Sequence, residues 1–372
     1  MRPLRYLLLL AAAAVGTAAA TWLFNRVAAR PAVTDRYQFV MERKIAARVA
    51  SGKNVVLPGD INEWMLRWKI ARRLPGAPDA AVLGSSHSLP VAADMLGAPD
   101  AMNFSISGSA MADHLLTTEI LAERGLHPRT WVIFVDAWFF DLGADFGAWH
   151  DEPAEVLRME DRLRQTAQPP LEPIFTRSQD AWARRAHTDR YALAPLLRTF
   201  DGWINEVALS AEVVGQADGS ATVICGDGSV RSSSHAELDP ADVRSVALHQ
   251  FRLNADRHRY GKYDRIDEDL WRYFEAWVRF CRQDGGRVWL VLSPYHPAIY
   301  PEIVAVPQNQ LKAIESRLHA FARQAGVGLL GSYDPAQAGM SGADFYDGDH
   351  LLKGGLQRLL APIAASAATA AP

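Results

Sequence analysis

Short, fully apolar runs alternate along the chain with longer stretches in which apolar positions recur every three or four residues. Ala80-Ala81-Val82-Leu83 closes at Gly84 and reads as a buried strand. Trp131 to Val135 contains no polar position, the pattern of a strand covered on both faces. Between them, Met102 to Phe104 predicts a short strand. Asp113 to Arg124 predicts a helix, with Gly125 where a left-handed residue is wanted past its end. Upstream, Asp60-Ile61-Asn62-Glu63 reads as an N-cap at Asp60 with a glutamate three positions on. The helix it opens runs through Trp64, Leu66 and Ile70 and stops near Leu74-Pro75-Gly76.

The same alternation returns after Asp267, which caps a helix through Leu270, Phe274, Trp277, Val278 and Cys281 that ends at Gly285-Gly286. Val288 to Leu292 is the next apolar strand. Gln308 to Gln324 repeats the helical spacing with Leu311, Ile314, Leu318 and Phe321, and Val327 to Leu330 predicts the last strand. Gly355 to Ala361 reads as a closing helix that Pro362 ends or kinks. Strand, helix and strand at this spacing imply a parallel sheet covered by helices, a three-layer α/β/α fold.

The N-terminus follows another pattern. Arg2 and Arg5 precede an uncharged run from Tyr6 to Phe24, close to the roughly 20 residues that span a bilayer as a helix. Ala18-Ala19-Ala20 imitates a cleavage site, but the run continues through Trp22 to Phe24, which favours an uncleaved signal anchor over a cleaved signal peptide. Arg26, Arg30 and Arg36 follow the run, so the charges alone do not fix its orientation. A short tail left in the cytoplasm places the rest of the chain outside. Residues 1–26 are thus read as a transmembrane signal anchor and residues 27–76 as a stalk with a leading helix. Residues 77–372 form the sheet-centred domain. It is interrupted at about 151–240, where proline, arginine and serine mix with weak periodicity, by an insertion or small cap.

Composition narrows the functions open to such a chain. Of its 372 residues, 39 are Lys or Arg and 42 are Asp or Glu, so no global basic field supports nucleic-acid binding. Two cysteines cannot build a thiolate metal cluster or a disulfide framework. Cys225 and Cys281 would be exported together, and an oxidising compartment permits a bridge between them. Cys281 also lies on the apolar stripe of its helix, where a free thiol packs as a small hydrophobe. His and Asp are numerous, but none has diagnostic metal-ligand spacing, and no cofactor motif is present.

Reactive side chains gather at the ends of two predicted strands. Gly84-Ser85-Ser86-His87-Ser88 follows the first strand, and Asp344 to His350 (Asp-Phe-Tyr-Asp-Gly-Asp-His) precedes the last helix. In an open α/β sheet, ligands bind at the carboxyl ends of strands. A serine there becomes a nucleophile when a histidine base and an orienting carboxylate converge on it. Asp347 and His350 are close enough in sequence for one turn to present both. Asp344 and Asp349 crowd Asp347 and compete for the role of acid. His87 and His114 read as decoys, the first pointing away from the serine and the second on a helix face. His296, between Pro294 and Pro297, is either a pocket residue or a loop histidine held by prolines. Trp138-Phe139-Phe140 could face a sugar or a membrane. Taken alone, Ser86 reads as a turn or N-cap serine rather than a nucleophile.

With these residues in view, the sequence resembles the SGNH, or GDSL-like, serine hydrolases and acyltransferases. Gly84-Ser85-Ser86 falls on that family's first block, and Asn103-Phe104-Ser105-Ile106-Ser107-Gly108 sits where the second block belongs. Asp347-Gly348-Asp349-His350 falls on the last block. The resemblance covers residues 80–135 and 288–360. It implies a flavodoxin-like α/β/α sheet, Ser86 as nucleophile, His350 as base and Asp347 as its orienting acid. It also implies the N–H groups of Ser86 and Gly108 as oxyanion donors.

Two departures change the picture. Ser85 replaces the family's first-block aspartate, as in membrane-anchored members that handle envelope polymers, such as the D-alanyl transfer proteins of teichoic acid synthesis. Asp136 stands where a third-block asparagine would donate to the oxyanion, and an ionised carboxylate cannot donate. Asp136 is therefore a candidate structural or substrate-orienting residue, and Asn103, Asp136 and His296 are candidate pocket residues. An α/β-hydrolase ranks second, because Gly84-Ser85-Ser86-His87-Ser88 lacks the closing glycine of that fold's elbow.

The resemblance implies an esterase or O-acyltransferase of the bacterial inner membrane with its domain in the periplasm. Its substrate would be an envelope glycan or another acylated molecule, and a membrane-bound protein could supply the acyl group. The rival is a non-catalytic envelope assembly or binding protein on the same fold. Fractionation tests the anchor: full-length chain is expected in the membrane pellet, released by detergent and not by high salt. Recovery in the soluble cytosolic fraction would defeat that expectation.

Overall fold

The computed structural model describes residues 13, 15–23, 39–57, 61–141, 148–186, 222–232, 239–254 and 264–369. Among the described residues the strands are β1 (Val55–Val56), β2 (Ala80–Leu83), β3 (Met102–Asn103), β4 (Thr130–Phe134), β5 (Val223–Ile224), β6 (Val230–Arg231), β7 (Arg287–Leu292) and β8 (Gly328–Gly331). The helices used below are α1 (Val40–Val49), α2 (Glu63–Ala71), α3 (Ala93–Leu96), α4 (Met111–Glu123), α5 (Pro153–Thr166) and α6 (Ile174–Ala186). They continue with α7 (Pro240–Asn254), α8 (Glu268–Cys281), α9 (Tyr300–Ala305), α10 (Leu311–Ala325) and α11 (Lys353–Thr369).

The predicted strands pair into one parallel five-stranded sheet in the order β3-β2-β4-β7-β8. Relative to chain order this is 2-1-3-4-5, which reverses direction between β2 and β4. At that switch point two crossovers leave in opposite directions and open a crevice above the carboxyl ends of the strands.

Alternate residues of each strand enter different cores, as a period of two requires. Ala81, Leu83, Trp131, Ile133, Val288 and Leu290 pack with residues of α1, α2, α4, α5, α8 and α10. Ala80, Val82, Val132, Phe134 and Val291 pack with α3 and α11. The result is three layers, with the thicker helical layer on the first face. Trp68, Trp149, Trp271 and Trp277 are fully buried there. Each such side chain contributes on the order of 2 kcal/mol or more by leaving water.

Several expectations need correction. Residues 40–56, expected to be stalk, belong to the domain: Val40, Ile45, Ala46 and Val49 are buried, and β1 pairs with β5. The cap of α2 is Asn62, whose Oδ1 accepts the Met65 N–H at 2.9 Å, while Asp60 lies outside the described residues. Asn62 also donates its N–H to Glu42 Oε1 at 2.7 Å, fixing α2 to α1. The closing helix neither ends nor is interrupted at Pro362 but runs to Thr369. Proline removes one ladder bond; buried Leu359, Leu360 and Ile363 hold the helix on both sides of it. Cys225 and Cys281 are buried free thiols without a bridge, and burial pushes the Cys281 thiol well above its ordinary pKa.

The segment expected as an insertion contributes core as well. Val156, Met159 and Leu163 of α5 are buried in the larger cluster. The buried Glu160 carboxylate accepts the Phe175 and Thr176 N–H groups at 2.8 and 2.9 Å and the Tyr273 hydroxyl at 3.1 Å. The β5–β6 hairpin then closes the free edge of β3: Asp227 O accepts the Asn103 N–H at 2.8 Å, and Val230 donates to Leu89 O at 2.8 Å. Buried Arg67 of α2 clamps the join, donating to Asn103 O and Gly228 O. Residues 187–221 and 233–238 lie outside the described residues.

The membrane expectation falls mostly on undescribed positions. Tyr6 to Ala12, Ala14 and Phe24 are outside the described residues, and residues 15–23 are helical. Among the described residues, no helix is long and apolar enough to cross a membrane.

Gly84 is tightly packed beneath the crevice. A Cβ there would stand 2.4 Å from Ser88 Oγ and 2.6 Å from Phe134 Cβ. Gly84→Ala is therefore expected to destabilise the protein by roughly 1–3 kcal/mol, the cost of overpacking. Chemical unfolding checks this, and an unchanged midpoint would show that the turn relaxes freely.

Candidate active site

Three loops converge over the switch point. The first leaves β2 as Gly84-Ser85 and tightens into a 3-10 turn over Ser86–Ser88. Ser85, fully buried, caps it: its Oγ accepts the His87 N–H at 3.4 Å, and its carbonyl accepts the Ser88 N–H at 3.1 Å. Ser85 thus performs a turn-forming role. Ser86 is half-buried at the crevice floor, while His87 is buried.

The second loop follows β3. Its backbone continues the ladder beside β2, with Phe104 donating to Val82 O and Ile106 to Gly84 O, both at 2.9 Å. Asn103 does not line an open pocket. Its amide donates to the carbonyls of Ser88 at 2.7 Å, Leu89 at 3.2 Å and Val91 at 2.9 Å, while its Oδ1 accepts the Ser105 N–H at 2.8 Å. It ties the second loop to the first. At the far end, Gly108 adopts φ +63°, a conformation glycine reaches without strain. The preceding Ser107 N–H donates to Glu63 Oε1 of α2 at 3.2 Å. Sequence reasoning missed Glu63, which reads only as an N3 glutamate. Among the described residues, no hydrogen bond uses the N–H of Ser86 or Gly108.

The third loop precedes α11. Asp347 Oδ1 accepts the N–H groups of Asp349 at 3.0 Å and His350 at 2.9 Å, an Asx turn that carries His350 back over its own carboxylate. His350 Nδ1 lies 2.9 and 2.8 Å from the two Asp347 oxygens, and its Nε2 lies 2.8 Å from Ser86 Oγ. With Nδ1–H donating to the carboxylate, Nε2 is the acceptor for the Ser86 proton. The loop is braced from outside: Gly348 O accepts the His296 N–H at 2.9 Å, and Gly348 N–H donates to Gln250 Oε1 of α7 at 3.2 Å.

Ser86, Asp347 and His350 are thus brought together in the order a nucleophile, base and orienting acid require. Burial alone would lower the pKa of His350. The charges of Asp349 and Asp347, with their hydrogen bonds, outweigh it and raise the pKa. No known protein family and no curated protein matches the chain. The chemistry open to the site is therefore judged from its geometry: a hydroxyl within hydrogen-bond reach of an imidazole whose other nitrogen a carboxylate holds.

The remaining candidates divide. Asp136 does not face an oxyanion position alone, because its Oδ1 lies 2.7 Å from His87 Nδ1. His87 is no decoy: its Nε2 lies 3.4 Å from Asp349 Oδ2, and its ring centre is 5.1 Å from that of His350. Asp349 in turn lies 3.1 Å from His350 Nδ1. His296 braces rather than reacts. Its Nδ1 accepts the Ala298 N–H at 3.0 Å, and burial, with Arg244 outweighing Asp347, lowers its pKa. His114 lies on α4, where burial drives its pKa down to about 3, and it packs flat against Trp277. Trp138, Phe139 and Phe140 face neither sugar nor membrane but are core, with Trp138 Nε1 donating to Ser109 O at 2.9 Å. Asp344 serves Ser341, accepting its N–H at 2.7 Å, and pairs with Arg358.

Ligand atoms of His87, Asp349 and His350 lie within 4.8 Å of one another, close enough to hold a metal ion. His87 would offer Nε2 while Asp136 keeps its Nδ1–H, but His350 would have to give up either the Nδ1–H that Asp347 holds or its Nε2 contact with Ser86.

Glu63→Ala removes the acceptor of the Ser107 N–H. Loss of a hydrogen bond to a charged group costs about 1.5–3 kcal/mol. Faster amide exchange at Ser107 and Gly108 is expected, with Ser86–His350 geometry kept. Exchange rates equal to wild type would show that Glu63 does not hold this loop.

Proposed function

We propose that the protein is a serine esterase or O-acyltransferase of SGNH type. The observation that carries this reading is the continuous contact from Ser86 Oγ through His350 to Asp347, above the sheet's switch point. A half-buried serine has no structural need for a histidine whose other nitrogen is fixed by a carboxylate. A nucleophile needs both.

Ser86 Oγ attacks an acyl carbonyl as His350 Nε2 takes its proton. The carbonyl oxygen becomes an oxyanion, held by the N–H groups of Ser86 and Gly108, and Asp347 stabilises the imidazolium. His350 then returns the proton to the departing alcohol, leaving an acyl-Ser86 ester. Water activated by His350 releases the acid. A sugar hydroxyl in its place forms a new ester, and His350 again receives and returns the proton. The proposed setting follows from the sequence. The N-terminal apolar run anchors the domain on the periplasmic side of a bacterial inner membrane. Envelope glycan is the substrate, and a membrane-bound protein serves as acyl donor.

A second reading is a non-catalytic assembly module. It is favoured by Asp136, a carboxylate engaged by His87 at the place where a side-chain oxyanion donor would be expected.

A serine-reactive fluorophosphonate separates the two. Full-length protein is expected to label at one site, and Ser86→Ala and His350→Ala are expected to slow labelling by roughly 10³-fold or more. Absence of labelling in folded wild type, or labelling indifferent to both substitutions, would defeat the enzyme reading. The pH dependence has a definite sign. His350 must be neutral to accept a proton, and its carboxylates raise its pKa. The labelling rate is therefore expected to fall with decreasing pH through a midpoint above the ordinary imidazole range. A midpoint at or below that range would contradict the charge environment described.

A further inference from the structure

Two of the converging loops bring the donor set of a metal site together beneath Ser86. Ligand atoms of His87, Asp349 and His350 lie within 4.8 Å of one another, and all three residues are buried. His87 is 4% exposed; its Nε2 makes no hydrogen bond among the described residues and faces Asp349 Oδ2 at 3.4 Å. Asp349 Oδ1 lies 3.1 Å from His350 Nδ1. Both separations exceed the length of an ordinary charge-assisted hydrogen bond. Zinc binds imidazole nitrogen and carboxylate oxygen at about 2.0–2.2 Å, which sets tetrahedral neighbours roughly 3.3–3.5 Å apart. The His87–Asp349 spacing is that of two ligands on one ion.

The surroundings suit an ion as well. Asp136 Oδ1 lies 2.7 Å from His87 Nδ1 and fixes the tautomer whose Nε2 lone pair points toward Asp349. A carboxylate placed behind the imidazole in this way is the common support of a zinc-bound histidine. Burial pulls His87 toward neutrality, yet Asp136 and Asp349 lift its pKa to about 10; a divalent ion replaces that one proton with two charges. Imidazole with carboxylate suits zinc and its transition-series neighbours, whereas magnesium and calcium prefer oxygen alone. His350 Nε2 reaches half-buried Ser86 at the crevice floor, the side from which an ion would enter.

We propose that His87, Asp349 and His350 bind a zinc-type divalent ion, and that the bound ion switches Ser86 off. A neutral imidazole has one nitrogen that accepts and one that carries a proton. Bound through Nε2, His350 spends the lone pair that would take the Ser86 proton. Bound through Nδ1, it loses the N–H held by Asp347, and its remaining proton sits on Nε2, which becomes a donor. Whichever nitrogen coordinates, His350 no longer serves as base. Binding releases the Nε2 proton of His87 to solvent, and Ser86 forms no new covalent bond. The inhibition rests on the reading of Ser86 and His350 as nucleophile and base; the binding does not.

Untagged full-length protein in detergent, freed of metal by a chelator, is titrated with Co²⁺ and with Zn²⁺. Wild type is expected to bind a single Co²⁺, read from its visible absorption, and to exchange it for Zn²⁺. Saturating Zn²⁺ is expected to abolish fluorophosphonate labelling, and EDTA to restore it. His87→Gln and Asp349→Asn, each compared with its own metal-free rate, should lose both the binding and the inhibition. Asp136→Asn keeps the three ligands and should weaken binding by roughly 10–100-fold. His127→Gln, at an exposed histidine before β4, should bind as wild type does.

Absence of single-site binding in wild type, or binding by His87→Gln and Asp349→Asn equal to wild type, overturns the metal site. Binding that leaves labelling unchanged overturns the inhibition. Should the ligand variants not fold, X-ray absorption of Zn²⁺-loaded wild type decides instead: two imidazole ligands are expected, and fewer overturn the site. If metal-free wild type never labels, the esterase reading fails while Co²⁺ binding still decides the metal site.

Discussion

Everything at the crevice depends on one imidazole being held at both nitrogens by groups that enter from opposite ends of the chain. Ser86 and His350 are 264 positions apart, yet their atoms lie 2.8 Å from each other. No local preference can produce that contact. It follows from the parallel sheet, in which β2 and the loop before α11 both open at the carboxyl edge and the order reverses between β2 and β4. The sheet in turn depends on its two-sided burial, since a parallel sheet left bare on one face does not persist.

The three loops are held by backbone hydrogen bonds rather than by their own side-chain bulk. Asn103 spends its whole amide on three carbonyls of the first loop, Asp347 spends one oxygen on two N–H groups of its own turn, and Glu63 reaches across from α2. Such contacts fix direction as well as distance, which catalysis by a hydroxyl requires. The β5–β6 hairpin and Arg67 complete the frame by joining the far edge of the sheet to the helix that carries Glu63.

The apolar runs were legible because burial on both faces leaves no room for polar positions. Ala80–Leu83 and the runs near Thr130–Phe134 and Arg287–Leu292 appear within a residue of where they were read. Helix starts were less legible. The cap of α2 falls on Asn62, two residues after the better sequence signature, because Asn62 also binds Glu42. The α1 segment resembled a stalk because Glu42, Arg43, Lys44 and Arg48 charge it heavily; only tertiary packing reveals that Val40, Ile45, Ala46 and Val49 are buried together. Ser86, Asp347 and His350 could be named from spacing at strand ends. His87 could not. In a 3-10 turn with three residues per turn, neighbours point about 120° apart, so Ser86 meets the crevice while the next side chain drops beneath it. A histidine that looked turned away is turned inward, where Asp136 awaits it.

Because α1 is part of the packed domain, little chain remains to connect that domain to the apolar N-terminal run. About fifteen residues separate Phe24 from Val40, and fully extended backbone covers at most roughly 3.5 Å per residue. A bilayer-inserted run would therefore act as a leash of about 50 Å at most. The crevice would then search a thin layer instead of a volume, and a partner confined to the same layer would meet it at a raised effective concentration. Under such tethering, weak intrinsic affinity for an acyl donor is compatible with frequent encounter, and selection can act on orientation at the surface rather than on tight binding.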